Sequence, residues 1–156
     1  MKSVESLLQP FLGYMELGMY AEALAELDSL PKEVQAHPTT QIARMDYFLE
    51  TKRWEDGVNW GESLCQLWPD ESEFWIKRAY CLHELQRTDE AKAVLLAAPA
   101  KHHKLAVYCY NLACYEAQLH HLPQARKLLK ACFAKDPSYH QFSQNDPDLK
   151  PLREHP

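Results

Sequence analysis

Four small residues recur at a fixed spacing: Ala23, Gly57, Ala91 and Ala125 stand 34 residues apart in succession. Three equal intervals in a 156-residue chain mark an internal repeat, and a repeat constrains the fold more than any composition does. Neighbouring positions echo the interval. One residue earlier stand Glu22, Asp56, Glu90 and Gln124; four residues later stand Leu27, Gly61, Leu95 and Leu129. Pro69 and Pro137 each follow twelve residues after the small residue of their unit. A small side chain at a periodic position permits close approach of two packed elements, so each unit is expected to be one supersecondary motif packed on the next.

Each unit reads as two amphipathic helices. Leu7, Phe11, Tyr14 and Met15 trace a 3.6-residue period that ends at Gly18. Tyr20, Ala23, Leu24, Leu27 and Leu30 trace a second helix that Pro31 stops. Trp75, Ala79 and Leu82 precede Ala91, Val94 and Leu95 in the same scheme, and Leu112 and Ala113 precede Ala125, Leu128 and Leu129. No segment alternates polar and apolar residues as a half-buried strand does. The expected helices run over about 4–17, 20–30, 39–52, 54–67, 71–86, 88–98, 102–119 and 122–135.

With 46% hydrophobic and 25% charged residues, the chain has the balance of a folded domain. Stretches free of charge, such as 105–115, fall short of the ~20 apolar residues that a membrane helix needs. The N-terminus lacks the basic-then-apolar pattern of a secretory leader, and none of the five cysteines form a CxxC pair. A cytoplasmic protein with reduced thiols is expected, without disulfide framework, metal or cofactor. Cys65, Cys81, Cys109, Cys114 and Cys132 all fall within the expected helices and read as small core residues. Glu116 and His120 share a helical face beside His121, but they sit at a helix–helix turn where solvated polar residues are ordinary. His102 and His103 read as solvated too. Four glycines leave no phosphate loop or nucleophile elbow, and no HExxH is present, so no catalytic residue is assigned.

The stretches "WIKRAYCLHELQRTDEAKAVL" and "NLACYEAQLHHLPQARKLL" resemble the tetratricopeptide repeat (TPR) family, whose 34-residue helix–turn–helix carries a large residue, Leu, Gly/Ala, an aromatic, Ala, an aromatic or Leu, and Pro in order. The resemblance spans about residues 4–137; Pro10 and Phe11, and Gly57 and Gly61, depart from the pattern. It implies an all-α, right-handed α-solenoid of four repeats, about 4–37, 38–71, 72–105 and 106–137. Residues 138–156 form a C-terminal cap in which Tyr139, Phe142, Leu149 and Leu152 pack back on the last repeat.

In such a stack the first helix of each pair lines a concave groove that binds a protein segment. Carried over by position, the groove holds Leu8, Leu12, Met15 and Glu16, then Ile42, Asp46, Leu49 and Glu50. It continues with Ile76, Lys77, Tyr80, His83 and Glu84, and with Tyr110, Asn111, Cys114 and Gln118. Glu16, Glu50 and Glu84 lie 34 residues apart and form an acidic ladder over an apolar floor, which suits a peptide or helix with apolar and basic residues. Asn111 matches the asparagine with which such grooves hold a ligand backbone. The Lys/Asn/Arg clamp for chaperone tails is absent: the matching positions are Leu8, Leu12 and Ala43, or Ile42, Asp46 and Lys77.

The expected function is a non-enzymatic scaffold or adaptor. The resemblance also leaves open a type III secretion-type chaperone and a cytoskeleton- or membrane-associated assembly factor of the bacterial kinesin-light-chain-like kind. Charge adds a second surface. Residues 1–75 carry −9 and residues 76–156 carry +4, with Lys101, Lys104, Arg126, Lys127, Lys130 and Lys135 forming a basic patch. The overall acidity argues against nucleic acid. The polarity favours head-to-tail self-association, and contact with a membrane surface or filament stays open.

Overall fold

The 34-residue interval returns in the backbone of the computed structural model, which describes residues 2–156. Positive φ angles occur at Gly18, Lys52, Gln86 and His120, again one per interval. Each is the left-handed residue that ends a helix. In each, the next amide reaches back five residues: Met19 N–H to Tyr14 O, Arg53 to Phe48, Arg87 to Leu82 and His121 to Glu116, at 2.8–2.9 Å. This double-bonded helix end satisfies carbonyls that would otherwise lack partners and turns the chain sharply into the next helix. Only the first of the four uses glycine, so three side chains are held in a conformation that L-residues enter at a cost of about 1–2 kcal/mol.

The described residues are helical throughout their regular structure, with no strand. Two short helices, α1 (Val4–Leu7) and α2 (Gln9–Glu16), precede α3 (Tyr20–Ser29) and the single turn α4 (Lys32–Gln35). Then come α5 (Pro38–Glu50), α6 (Trp54–Leu67), α7 (Ser72–Glu84) and α8 (Thr88–Ala97). A 3-10 turn at Ala100–Lys104 leads into α9 (Ala106–Gln118) and α10 (Leu122–Lys135). The chain ends with α11 (Ser138–Ser143), a 3-10 turn at Pro147–Leu149, and α12 (Lys150–Glu154). The expected helix over 4–17 is split at Leu8, because Pro10 has no N–H for the carbonyl of Ser6. The expected 102–119 helix starts later, after the 3-10 turn.

Helices pack as pairs, α2 on α3, α5 on α6, α7 on α8 and α9 on α10, and each pair packs on the next. The first helices also meet one another, α5 with α7 and α7 with α9. Ala23, Ala91 and Ala125 are fully buried, and Gly57 is buried with them. At Gly57 an added Cβ would stand 2.5 Å from Cys81 Sγ; at Gly61 it would stand 2.9 Å from Arg78 Cβ. The second unit therefore departs from alanine and leucine because the neighbouring helix α7 already fills that space.

The core has two clusters that meet at Trp75. Phe11, Leu27, Met45, Phe48 and Phe74 anchor the first; Leu82, Leu95, Tyr108, Tyr115 and Cys132 anchor the second. All five cysteines are free and buried. Burial pushes the thiols of Cys65 and Cys81 up to about 12 and that of Cys132 up to about 11. No helix among the described residues is long and apolar enough to cross a membrane.

Candidate functional site

Helix α9 organises the site. It is buried from Tyr108 to Ala117 except at Asn111, with α8 and α10 beside it and α7 across the face formed by the first helices. The remaining side of α9 is covered by the end of the chain. Tyr110 Oη donates to Asp146 Oδ2 at 2.5 Å, and Gln118 Nε2 donates to the carbonyl of Asp148 at 2.8 Å. His83 Nε2 of α7 lies 3.1 Å from Asp148 Oδ1, while its Nδ1 is 2.9 Å from Thr88 Oγ1. Asp146 also accepts the amide of Asp148 at 2.9 Å, which fixes the turn around Pro147, and Leu149 is buried beneath it. Arg153 closes the arrangement by donating to the carbonyls of Ser143 and Asp146.

The result is a cleft of about 870 Å³ between α7, α9 and the returning segment 139–148. Its walls carry Tyr80, Tyr110, Tyr115, Tyr139 and Phe142, with Glu84, Asp146 and Asp148 as carboxylates and half-buried Asn111 from α9. The rings of Tyr110 and Tyr139 are 4.9 Å apart, and Phe142 stands 5.5 Å from Tyr110. Tyr115 is 2% exposed, yet its hydroxyl has no hydrogen-bond partner. Burial, first of all, raises the phenol of Tyr110, and the Asp146 carboxylate beside it adds to the effect. The thiol of Cys114 is raised in the same way, by burial and then by Asp146 and Asp148, so it stays protonated. His83 is also raised: burial alone lowers it, but the bond to Asp148 and the carboxylates of Glu84 and Asp146 outweigh that.

The groove residues expected from sequence are divided by the structure. Tyr80, His83, Glu84, Tyr110, Asn111 and Cys114 do come together in the cleft. Gln118 is spent on the tail. Leu8 is not a groove residue: at 4% exposure it belongs to the first core cluster, because the split at Leu8 turns it inward. Lys77 and Asp46 answer each other at 2.6 Å, with Glu73 at 3.1 Å from the same ammonium, so neither charge is free for a ligand. Leu12 is open at 43% exposure; Met15, Ile42, Leu49 and Ile76 are half-buried. Glu16, Glu50 and Glu84 are all exposed.

Three further readings are corrected. Glu116 is not a solvated turn residue: it is 5% exposed and accepts from Lys92 Nζ at 2.7 Å and from His121 Nδ1 at 2.6 Å. His102 is buried, with Nε2 3.0 Å from the carbonyl of Pro69. Phe142 does not pack away; it is 65% exposed at the mouth of the cleft. In the basic patch, Lys101 pairs with Asp70 at 2.7 Å and Arg126 bonds the carbonyl of His155. Lys104, Lys127, Lys130 and Lys135 are exposed and make no ion pair among the described residues.

Two features were not legible from the sequence. Cys114, Asp146 and Asp148 bring one donor atom each within 4.8 Å of one another, across more than thirty residues of chain. A smaller hollow of about 430 Å³ lies beside α6, lined by Trp60, Leu64, Leu67 and Trp68. No protein-family model matches the chain, and no curated protein matches it either.

Proposed function

We propose that the chain is a non-enzymatic adaptor: a right-handed α-solenoid of four TPR-like repeats whose concave face holds an extended segment of a partner protein. The architectural part rests on the recurrence of the same helix-ending turn at Gly18, Lys52, Gln86 and His120, which stacks one like hairpin on the next. One observation carries the functional part. The cleft of about 870 Å³ opens on the first helices of the last two pairs and presents uncovered Tyr80 and Phe142 at its mouth. Exposed aromatic rings around a concave, partly polar surface are what a peptide-binding site needs and what a solvated surface does not.

The titratable groups in the cleft support binding over chemistry. Asp148 is answered by His83 and Asp146 by Tyr110, and Cys114 is held as the thiol. Buried free thiols suit a reducing, cytoplasmic setting.

A display selection of random peptides on the immobilised full-length protein tests this reading, with the footprint read by backbone amide hydrogen exchange. Protection is expected on α7, α9 and 139–148, and changing Glu16, Glu50 and Glu84 together to Gln is expected to weaken binding and flatten its salt dependence. Selected peptides that protect only the outer helices α6, α8 and α10 would overturn it.

A further inference from the structure

We infer that the cleft takes an arginine side chain of the partner segment, an inference that rests on the groove reading above. Three carboxylates, Glu84, Asp146 and Asp148, stand on its walls, and no lysine or arginine lines it. Two cationic groups stand close by: His83 faces Asp148, and Arg153 donates to the backbone carbonyl of Asp146. Glu84 is thus the carboxylate of the three that has neither an ion pair nor, as Asp146 has, the Tyr110 phenol bonded to it. This acidic hollow lies in the half of the chain that carries +4 in sequence, so its charge is local and not a reflection of the overall balance. A cation entering it meets attraction at short range in a partly desolvated site, where such attraction is strong.

The rings choose among cations. Tyr110, Tyr139 and Phe142 form a contiguous aromatic wall, with Tyr139 and Phe142 edge to face at 86°. A planar, weakly hydrated guanidinium stacks on such faces while its forked N–H groups reach carboxylates; a compact, strongly hydrated ammonium does this less well. Tyr115 supplies the independent observation. Its hydroxyl is buried on the cleft wall without any hydrogen-bond partner, an arrangement that costs about 1–3 kcal/mol unless something donates to it. A guanidinium has N–H groups left over after binding one carboxylate, and that hydroxyl accepts one when the side chains that now shield it move aside. Glu84, exposed at the mouth, makes no ion pair among the described residues and is placed to meet the incoming charge first.

The test uses three capped peptides of one alanine–leucine sequence that differ only in a central arginine, lysine or citrulline, titrated into full-length isotope-labelled protein. Amide shifts are expected in α7, α9 and 139–148 for the arginine peptide, at an affinity about tenfold or more above the neutral citrulline peptide and clearly above lysine. Glu84→Gln and Tyr115→Phe are each expected to weaken the arginine peptide about threefold, the first with an unchanged thermal midpoint and the second with a raised one, since it removes an unpaired buried hydroxyl. Tyr115→Phe removes only an unpaired hydroxyl, so it keeps the fold. Equal affinity for citrulline or lysine, or indifference to both substitutions, overturns the arginine inference and leaves the groove reading standing. If none of the three peptides shifts a cleft amide, the arginine inference falls, and the display selection decides the groove reading separately.

Discussion

Gly57 and Gly18 show two different reasons for glycine. At Gly57 the backbone is ordinary helix, but a Cβ would collide with buried Cys81 Sγ. Gly57→Ala is expected to lower stability by about 1–3 kcal/mol in urea unfolding, since added volume in a packed interface forces the neighbours apart. Combining it with Cys81→Ala should recover most of that loss, and a double variant no better than the single one would refute the steric account. Gly18 has open space around its Cα and a φ of 69°. Gly18→Ala should therefore cost about 1 kcal/mol through the backbone alone, with no rescue from any neighbour. Conversely, Gln86→Gly at the equivalent turn should stabilise by a few tenths to about 1 kcal/mol, and thermal melts would check the sign. Glycine at position 18 was legible as a turn; the same conformation at Lys52, Gln86 and His120 was hidden by residue type and recoverable only through the interval.

At the scale of elements, Glu116 ties α9 to its neighbours. Lys92 from α8 and His121 from the turn after α9 both donate to it. Burial by itself would raise its carboxyl, but the bonds from Lys92 and His121 hold it below the usual range. A depressed carboxylate contributes stability above its unfolded pKa of 4.5 and loses that contribution as pH falls through the lower folded value. Glu116→Gln keeps the shape but leaves Lys92 half-buried without its partner, and a loss of about 1–3 kcal/mol is expected in urea unfolding at neutral pH. Adding Lys92→Met should return part of the loss. A Gln variant indistinguishable from the parent would show that the cluster is only a surface pair. Most helix positions followed from the 3.6-residue period, because amphipathic faces are local information, while Pro10 split the first helix and a 3-10 turn delayed the start of α9. Glu116 was misread because its partner lies 24 residues away on the adjacent hairpin.

For the whole molecule, the end of the chain and the charge distribution matter most. The tail is held on α7 and α9 in part through His83 and Asp148. His83 is raised above 6.5, so its protonated form favours the docked tail; that contribution is complete below 6.5 and is lost as pH rises through the folded value. Intrinsic-rate-corrected amide exchange at Asp146, Asp148 and Leu149 is expected to quicken as pH rises past this window, and His83→Gln should abolish the trend. A parent protein whose tail protection is flat across that range would remove the claim. The −9 and +4 halves predict weak head-to-tail association at low ionic strength that disappears in high salt, measurable by sedimentation velocity. A strict monomer at low salt and high concentration would exclude it.

Taken alone, the sequence determined that this chain is helical and built of hairpins. A 34-residue echo and a 3.6-residue period depend on residues close together in the chain, and a small residue at each crossing dictates which helices touch. Which groove residues stay open was decided only in three dimensions. Leu8 turns into the core, Lys77 neutralises Asp46, and the segment around Pro147 returns some thirty residues to bond Tyr110 and Gln118. Those outcomes rest on hydrogen bonds and ion pairs between distant segments, whose partners no local pattern names. The cleft is therefore a product of the tail's return as much as of the repeats beneath it.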